Sequence, residues 1–406
     1  MAPLAPGPLA GVKVVELAHI MAGPVCGLML ADLGADVLKV ERLPSGDDSR
    51  RMVPPTLGGE SAAFMMMNRN KRGLALDLRR PEGVAAVRRL AAGADVLIEN
   101  FRRGAMERMG LGYGVLRAEN PRLVYCSISG YGRTGPLADR GGFDLVAQGM
   151  SGLMSITGEG PGRPPVKVGA PVTDIGAGIL AALGVVAAYA HRLRTGEGQQ
   201  VDTSLFEAGI VQTYWQAAIS LATGVAPGAM GSAHPLNAPY QAFETSDGGW
   251  VNVGAANQRT WLALVQAIGA PPLAADPRFA DNAARMAHLD ALGAALAPLF
   301  RRRTTAEWLT ALDAAGVPAG PVLSIAEMLE HPQTLARDMV PAVEHTALGP
   351  VRSLGLPVKL SATPGAVRRG APLLGEHTRE VLAEHGYSAA EIDALVASGA
   401  ALDGAR

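Results

Sequence analysis

Short apolar runs alternate with amphipathic stretches through the first 130 or so residues. Gly11-Val-Lys-Val-Val-Glu-Leu17 reads as a strand, and Gly23-Pro-Val-Cys-Gly-Leu-Met-Leu-Ala-Asp-Leu33 as a helix with Pro24 in its first turn. Gly34 ends that helix, and Ala35-Asp-Val-Leu-Lys-Val-Glu41 returns as a strand. A second unit repeats the pattern: strand Gly73–Leu78, helix Pro81–Ala92, strand Asp95–Glu99. Two short helical stretches then lead to a further strand, Arg122–Ile128. Strands joined by helices pair in parallel, because the crossover must return the chain to the same end of the sheet. The expected fold class is therefore α/β, with an open, Rossmann-like layer.

Further along, Thr223-Gly-Val-Ala-Pro-Gly-Ala-Met-Gly231 is rich in small residues and reads as a linker or exposed loop. Tyr240–Thr245 and Gly249–Gly254 form a hairpin around Ser246-Asp-Gly-Gly249, and amphipathic helices are expected over 258–268, 282–300 and 305–315. From about 335 short strands and Pro-rich turns resume, ending in a helix pair around 376–396. The expected organisation is a large Rossmann-like domain over 1–215, a smaller α+β domain over 225–330, and a segment 335–406 returning to the large domain. No internal repeat of fixed period is visible.

One apolar segment carries candidate chemistry. Val166-Lys-Val-Gly-Ala-Pro-Val-Thr-Asp-Ile-Gly-Ala-Gly178 runs into an Ala/Gly-rich stretch ending near Ala190. Asp174 falls at the start of the implied helix, where the macrodipole and unpaired N–H groups favour an ionised carboxylate, a competent nucleophile at neutral pH. Thr173 or Asp174 as a simple N-cap is the better account of this segment taken alone.

Composition narrows the setting. Of 406 residues 48% are hydrophobic and 18% charged, with a formal net charge of −1. That is enough apolar material for more than one core, and no cation excess is available to offset nucleic-acid phosphate. Cys26 and Cys126, the only cysteines, have neither metal-ligand nor disulfide-framework spacing, so a reducing cytoplasm is the expected location. The N-terminal Met-Ala-Pro-Leu-Ala-Pro-Gly7 has no charged and apolar leader pattern. The longest apolar run, Ile175–Ala190, is shorter than the roughly 20 residues that span a bilayer, so no membrane is expected.

The eight histidines show no pairing on one helical face, so no metal site is expected. There is no Gly-x-Ser-x-Gly elbow, no P-loop, and no Gly-x-Gly-x-x-Gly in the first βα turn, Ala18–Pro24. These absences count against hydrolase and dinucleotide chemistry. Arginines do follow strand ends: Arg42, then Arg102, Arg103 and Arg108 after Glu99-Asn-Phe101. Open parallel sheets bind ligands beyond the carboxyl ends of their strands, so this placement suggests a phosphate-bearing ligand.

Leu9–Leu17 followed by Ala22-Gly-Pro24, Leu33–Arg42, Asn68–Arg72 with Leu76-Asp-Leu78, Glu99-Asn-Phe101, and Met109–Tyr113 resemble the class III CoA-transferase family. So do Ser129–Gly132 with Gly135-Pro136, Ser151–Met154, Gly316–Val322 and Pro372–Thr378. These motifs occur in order over nearly the whole chain. The resemblance implies an enzyme that moves CoA from an acyl-CoA to a free carboxylic acid, with no permanently bound cofactor. It also implies a homodimer of two interlocked rings and an aspartate nucleophile that Asp174 matches. Arg42 and Arg108 match positions that contact CoA phosphates. Leu76, Arg79, Asn100 and Phe101 match segments lining adenosine and pantetheine. Met21 and Ala22 match a backbone segment near the thioester, and Asp144 an acidic position beside the active site. A small-domain loop near Asn257 is expected to exclude water.

Departures refine the expectation. Phe143 replaces a tyrosine and Met21 a glutamine of the formyl-CoA branch, while Gly231–Gln241 looks more like the dicarboxylate branch that uses succinyl-CoA. Gly142-Phe143-Asp144 lacks the histidine of the racemase branch, removing one of the two bases a 1,1-proton transfer needs. A 2-methylacyl-CoA racemase and a CoA-binding protein without transferase activity are the alternatives.

Overall fold

The computed structural model describes residues 6–404, so the first five residues of the N-terminal stretch read above lie outside the described residues. Two units emerge. One comprises Met1–Ser151, Val168–Gln212 and His331–Arg406, the other Gly152–Lys167 and Thr213–Glu330.

The first unit is built on a seven-stranded sheet. In chain order its strands are β1 (Lys13–Glu16), β2 (Asp36–Arg42), β3 (Arg72–Leu76), β4 (Val96–Glu99), β5 (Val124–Ser129), β6 (Gln200–Ser204) and β7 (Ala401–Leu402). They lie side by side as β7-β3-β2-β1-β4-β5-β6. All pairings are parallel except β7 against β3. Strands one to six thus follow the doubly wound order, in which the direction of winding reverses between β1 and β4. Loops leaving those two strands diverge and open a crevice at their carboxyl ends.

Five further elements frame that crevice: α1 (Ala22–Asp32), α2 (Pro81–Ala92), α3 (Asp144–Met150), α4 (Val172–Thr195) and α5 (Leu205–Val211). The core lies on both faces of the sheet, one layer around Val87, Leu90, Leu97 and Leu116, the other around Cys26, Leu30, Ile98 and Ala181. On the second face α1 packs closely on α4. A Cβ on Gly178 would stand 2.7 Å from the Ala22 carbonyl oxygen and from Val25, so only glycine admits this approach. The Ala/Gly pattern therefore serves to bring two helix starts together.

At 24 residues α4 is longer than the apolar run suggested, because it continues through His191, Arg192 and Arg194. By length and composition alone it is apolar enough to cross a membrane. Its inner face is packed on α1, while Ile179, Leu183 and Val186 are exposed.

The hairpin of the second unit pairs Tyr240–Glu244 with Trp250–Gly254, and Ala319–Pro321 adds a third antiparallel strand. Fully buried Trp261, Phe279, Phe300 and Trp308 make its core, with Phe243 stacked on Phe300 at 4.5 Å. The stretch expected as one helix over 282–300 is two, Asn282–Ala287 and Leu289–Phe300, meeting at His288.

Candidate active site

Two cavities of about 350 and 330 Å³ occupy the carboxyl end of the first unit's sheet and share His19 and Phe101. The first is lined by Arg42, Asp77, Leu78, Arg79, Phe101 and Met109, the second by Met21, Ala22, Asn100, Phe101, Arg140 and Asp174 among others. Residues from the loops after β1 and β4 line both, as the winding reversal requires.

Asp174 stands in the first turn of α4. It does not cap that helix: Pro171 is the N-cap and no side chain bonds to the first turn from there. The capping is done by Asp144 in the first turn of α3, whose Oδ1 accepts the Thr173 N–H at 3.0 Å and the Thr173 hydroxyl at 2.7 Å. Gln148 Nε2 donates to the other Asp144 oxygen at 2.8 Å. Asp174 is thereby left half-buried, facing the cavity, with no hydrogen bond or cation on its carboxylate among the described residues. Burial and then the charge of Asp144 push its pKa up to about 6. The helix start was expected to favour the ionised form; burial and Asp144 act against it, and with a value of about 6 the group is still mostly ionised at pH 7.

Met21 precedes α1 and Ala22 begins it, so unpaired N–H groups of a second helix start border the same cavity. Asn100 braces the adjoining loop: its Oδ1 accepts the His19 N–H at 3.0 Å, and its Nδ2 donates to the His19 oxygen at 2.8 Å. Arg42 is paired with Asp48, and Arg79 with Asp77 at 2.8 Å. Both guanidinium groups are half or more exposed at the cavity.

Not every expected site residue lies here. Leu76 is a correction: as the last residue of β3 it points into the core and is fully buried, and Leu78 lines the cavity instead. Arg108 is exposed on the short helix Ala105–Arg108, next to the cavity residue Met109, and lines neither cavity itself. Asn257 belongs to the second unit, where its side chain caps the helix Gln258–Ala267 through a capping box with Thr260.

The sequence reading passed over Glu16, Lys39 and Lys71, all fully buried beneath the crevice, and their partner Asp47. The signal was present: a charged residue inside an otherwise apolar strand, as in Val-Leu-Lys39-Val, must find a buried partner. Arg140 was also passed over.

The CoA-transferase family III model matches residues 9–378. The chain belongs to that family. As a CoA-transferase it is 42% identical over 386 residues to the succinate–glutarate CoA-transferase of Agrobacterium fabrum, covering 93% of this chain and 95% of the relative. It is 40% identical over 372 residues to the acetyl-CoA:oxalate CoA-transferase of Acetobacter aceti, covering 91% and 94%. The crystal structure of a CAIB/BAIF family protein from Brucella suis matches with a TM-score of 0.83 and 42% identity, covering 94% of this CoA-transferase and all of that chain. A family III enzyme takes acyl-CoA as a substrate, which fits a crevice rimmed by arginines. No group of three or more potential metal ligands occurs among the described residues.

Proposed function

We propose that this enzyme transfers CoA from an acyl-CoA, with succinyl-CoA the expected donor, to a small dicarboxylate, and that Asp174 is the nucleophile. The observation that carries this reading is the unengaged Asp174 carboxylate at the junction of two helix starts. Asp174 attacks the thioester carbonyl, giving a mixed anhydride and CoA thiolate. The thiolate then attacks the aspartyl carbonyl, releasing the donor acid and leaving an aspartyl-CoA thioester. The acceptor carboxylate displaces CoA to form a second anhydride, and the returning thiolate takes the acceptor acyl group and restores Asp174. Every step exchanges one activated carboxyl for another, so no phosphoryl donor is consumed. Similar relatives bear the names of glutarate and oxalate enzymes, which supports a dicarboxylate acceptor.

The racemase reading has less support. Phe143 offers no titratable group, and Asp144 is committed to Thr173 and Gln148. Hydroxylamine added after incubation with succinyl-CoA is expected to label Asp174 and no other carboxylate. Labelling elsewhere, with Asp174 untouched, would remove it as nucleophile.

A homodimer of interlocked rings belongs to the same proposal. Ile179, Leu183, Val186 and Leu193 on α4, with Leu145, Val146 and Met150 on α3, leave apolar side chains exposed that a second copy would cover. Light scattering at micromolar concentration is expected to give twice the 41.9 kDa chain mass, and the chain mass alone would rule the assembly out. The two buried free thiols, Cys26 and Cys126, support a cytoplasmic location.

A further inference from the structure

The loop between β1 and α1 holds a conformation that its own residues resist. Ile20 has φ of +67°, the left-handed region, where a β-branched side chain crowds the backbone. Such a residue persists only when its surroundings over-determine it, and here they do. Three consecutive residues are gripped. The Ala18 oxygen accepts from Lys39 Nζ at 3.0 Å. Both backbone groups of His19 are bonded to Asn100. The Ile20 N–H donates to Asp47 Oδ1 at 3.0 Å.

Asp47 is itself fixed from several directions. Its Oδ1 also accepts the N–H and hydroxyl of Ser49, each at 2.8 Å, and its Oδ2 lies 2.8 Å from Lys39 Nζ. Lys39 in turn is 3.1 Å from Glu16 Oε1, and Glu16 Oε2 is 2.7 Å from Lys71 Nζ. Four charged side chains, all buried, thus form a chain running from the sheet to one backbone N–H. Hydrophobic residues of like volume would fill this space at lower desolvation cost, so the network calls for a reason other than stability. Its outer end supplies one: Ile20, Met21 and Ala22 line the cavity that contains Asp174.

We propose that Asp47, anchored by Lys39, is a positioning residue for CoA transfer: it holds Ile20 in the left-handed turn and so aims the start of α1 at the cavity of Asp174. The inference rests on the reading of that cavity as the site of transfer. Asp47 touches no reacting atom, so removing it should misplace the loop rather than abolish binding. Misplacement by a fraction of an ångström is felt mainly in turnover.

The test compares kcat, the acyl-CoA KM and melting temperature in Asp47→Ala, Asp47→Asn and the double variant Asp47→Ala/Ile20→Gly. Asp47→Ala is expected to lower kcat by about tenfold or more with KM within about threefold. Glycine enters the left-handed region without penalty, so the double variant should regain several-fold in kcat while the melting temperature stays below wild type. Asp47→Asn keeps an acceptor for the Ile20 N–H and should stay within about threefold of wild type in kcat despite a lower melting temperature. A double variant no better than Asp47→Ala, or Asp47→Asn as impaired as Asp47→Ala, overturns the proposal. If Asp47→Ala does not fold, Asp47→Asn decides alone: a tenfold fall in kcat counts against it. Wild type and Asp174→Ala turning over alike would instead sink the reading of the site, independently of Asp47.

Discussion

The two ends of the first unit's sheet use the same charged residue types to opposite effect. At the amino ends two charged side chains are held by several partners. Arg72 at the start of β3 bonds Asp36 at 2.6 Å, Glu380 at 2.8 Å and Glu384 at 2.9 Å. Asp95, just ahead of β4, receives Arg192 at 2.5 Å and the Lys13 N–H at 2.7 Å. At the carboxyl ends the Asp174 carboxylate faces a cavity with no partner among the described residues, and Ile20 is held in a strained turn. A closed ion network fixes geometry; an unpaired carboxylate with its pKa raised by burial, set in a cleft, marks a candidate functional site. The contrast separates residues that build the fold from residues that use it.

Mutating each end tests that separation, and the largest effect is expected at Asp174. Asp174→Ala should lower kcat by at least about 10³-fold while CoA affinity, measured by calorimetry, changes little. Wild-type turnover in that variant would erase the contrast. Next in size is Arg42→Ala, expected to raise the acyl-CoA KM about ten- to a hundredfold and the acid KM far less, since a charge-assisted bond to phosphate contributes about 1.5–3 kcal/mol. Equal changes in both constants would move the phosphate site elsewhere. At the opposite end, Arg72→Ala should cost about 1–3 kcal/mol in chemical denaturation, with kcat per folded enzyme unchanged. A loss of kcat there would blur the division.

The smallest effect concerns protons. Asp174 is charged above its pKa of about 6 and neutral below it, so kcat should fall about tenfold per pH unit on the acid side of that value. Stability runs the other way. The folded state holds this proton more tightly than the unfolded chain, whose carboxyl has the ordinary value of 3.8. The group therefore favours folding below about pH 4, and that contribution is lost as pH rises through 6. Asp174→Asn should accordingly be more stable than wild type at pH 7, by up to about 3 kcal/mol in chemical denaturation, and the gap should close below pH 4. A constant gap across that range would show that the carboxylate is not strained by burial.

Much of this was legible in the sequence, for stated physical reasons. Strand–helix alternation and Pro81 at a helix start predicted the parallel layer, and α2 spans the expected Pro81–Ala92. Parallel strands buried on both faces read as apolar runs, whereas the edge strands β6 and β7 are short or half-exposed and carry no such run. Asp174 was singled out by the family resemblance, since its place at the start of an Ala/Gly helix also suits a simple cap, and its raised pKa was not legible. That shift comes from burial and from Asp144, which only the fold brings near. Leu76 was misjudged because a matching segment does not say which of its side chains reach the cavity: Leu76 ends β3 packed in the core, while Leu78, beyond the end of the strand, packs on the same core and reaches the cavity.

The order in which the chain is made sets one more constraint. β3 is flanked on its outer side only by Ala401–Leu402, and two of the three carboxylates around Arg72 come from Glu380 and Glu384. During synthesis, which runs from the N-terminus, the first unit therefore waits with an open strand edge and an arginine paired with Asp36 alone while some 300 further residues are added. The second unit, drawn mostly from the unbroken stretch Thr213–Glu330, has all its material before that edge is closed. A ribosome stalled short of the last helix pair would carry a complete Asp174 helix on a sheet still lacking its final strand, so a premature stop there should yield an aggregating chain rather than a weaker enzyme.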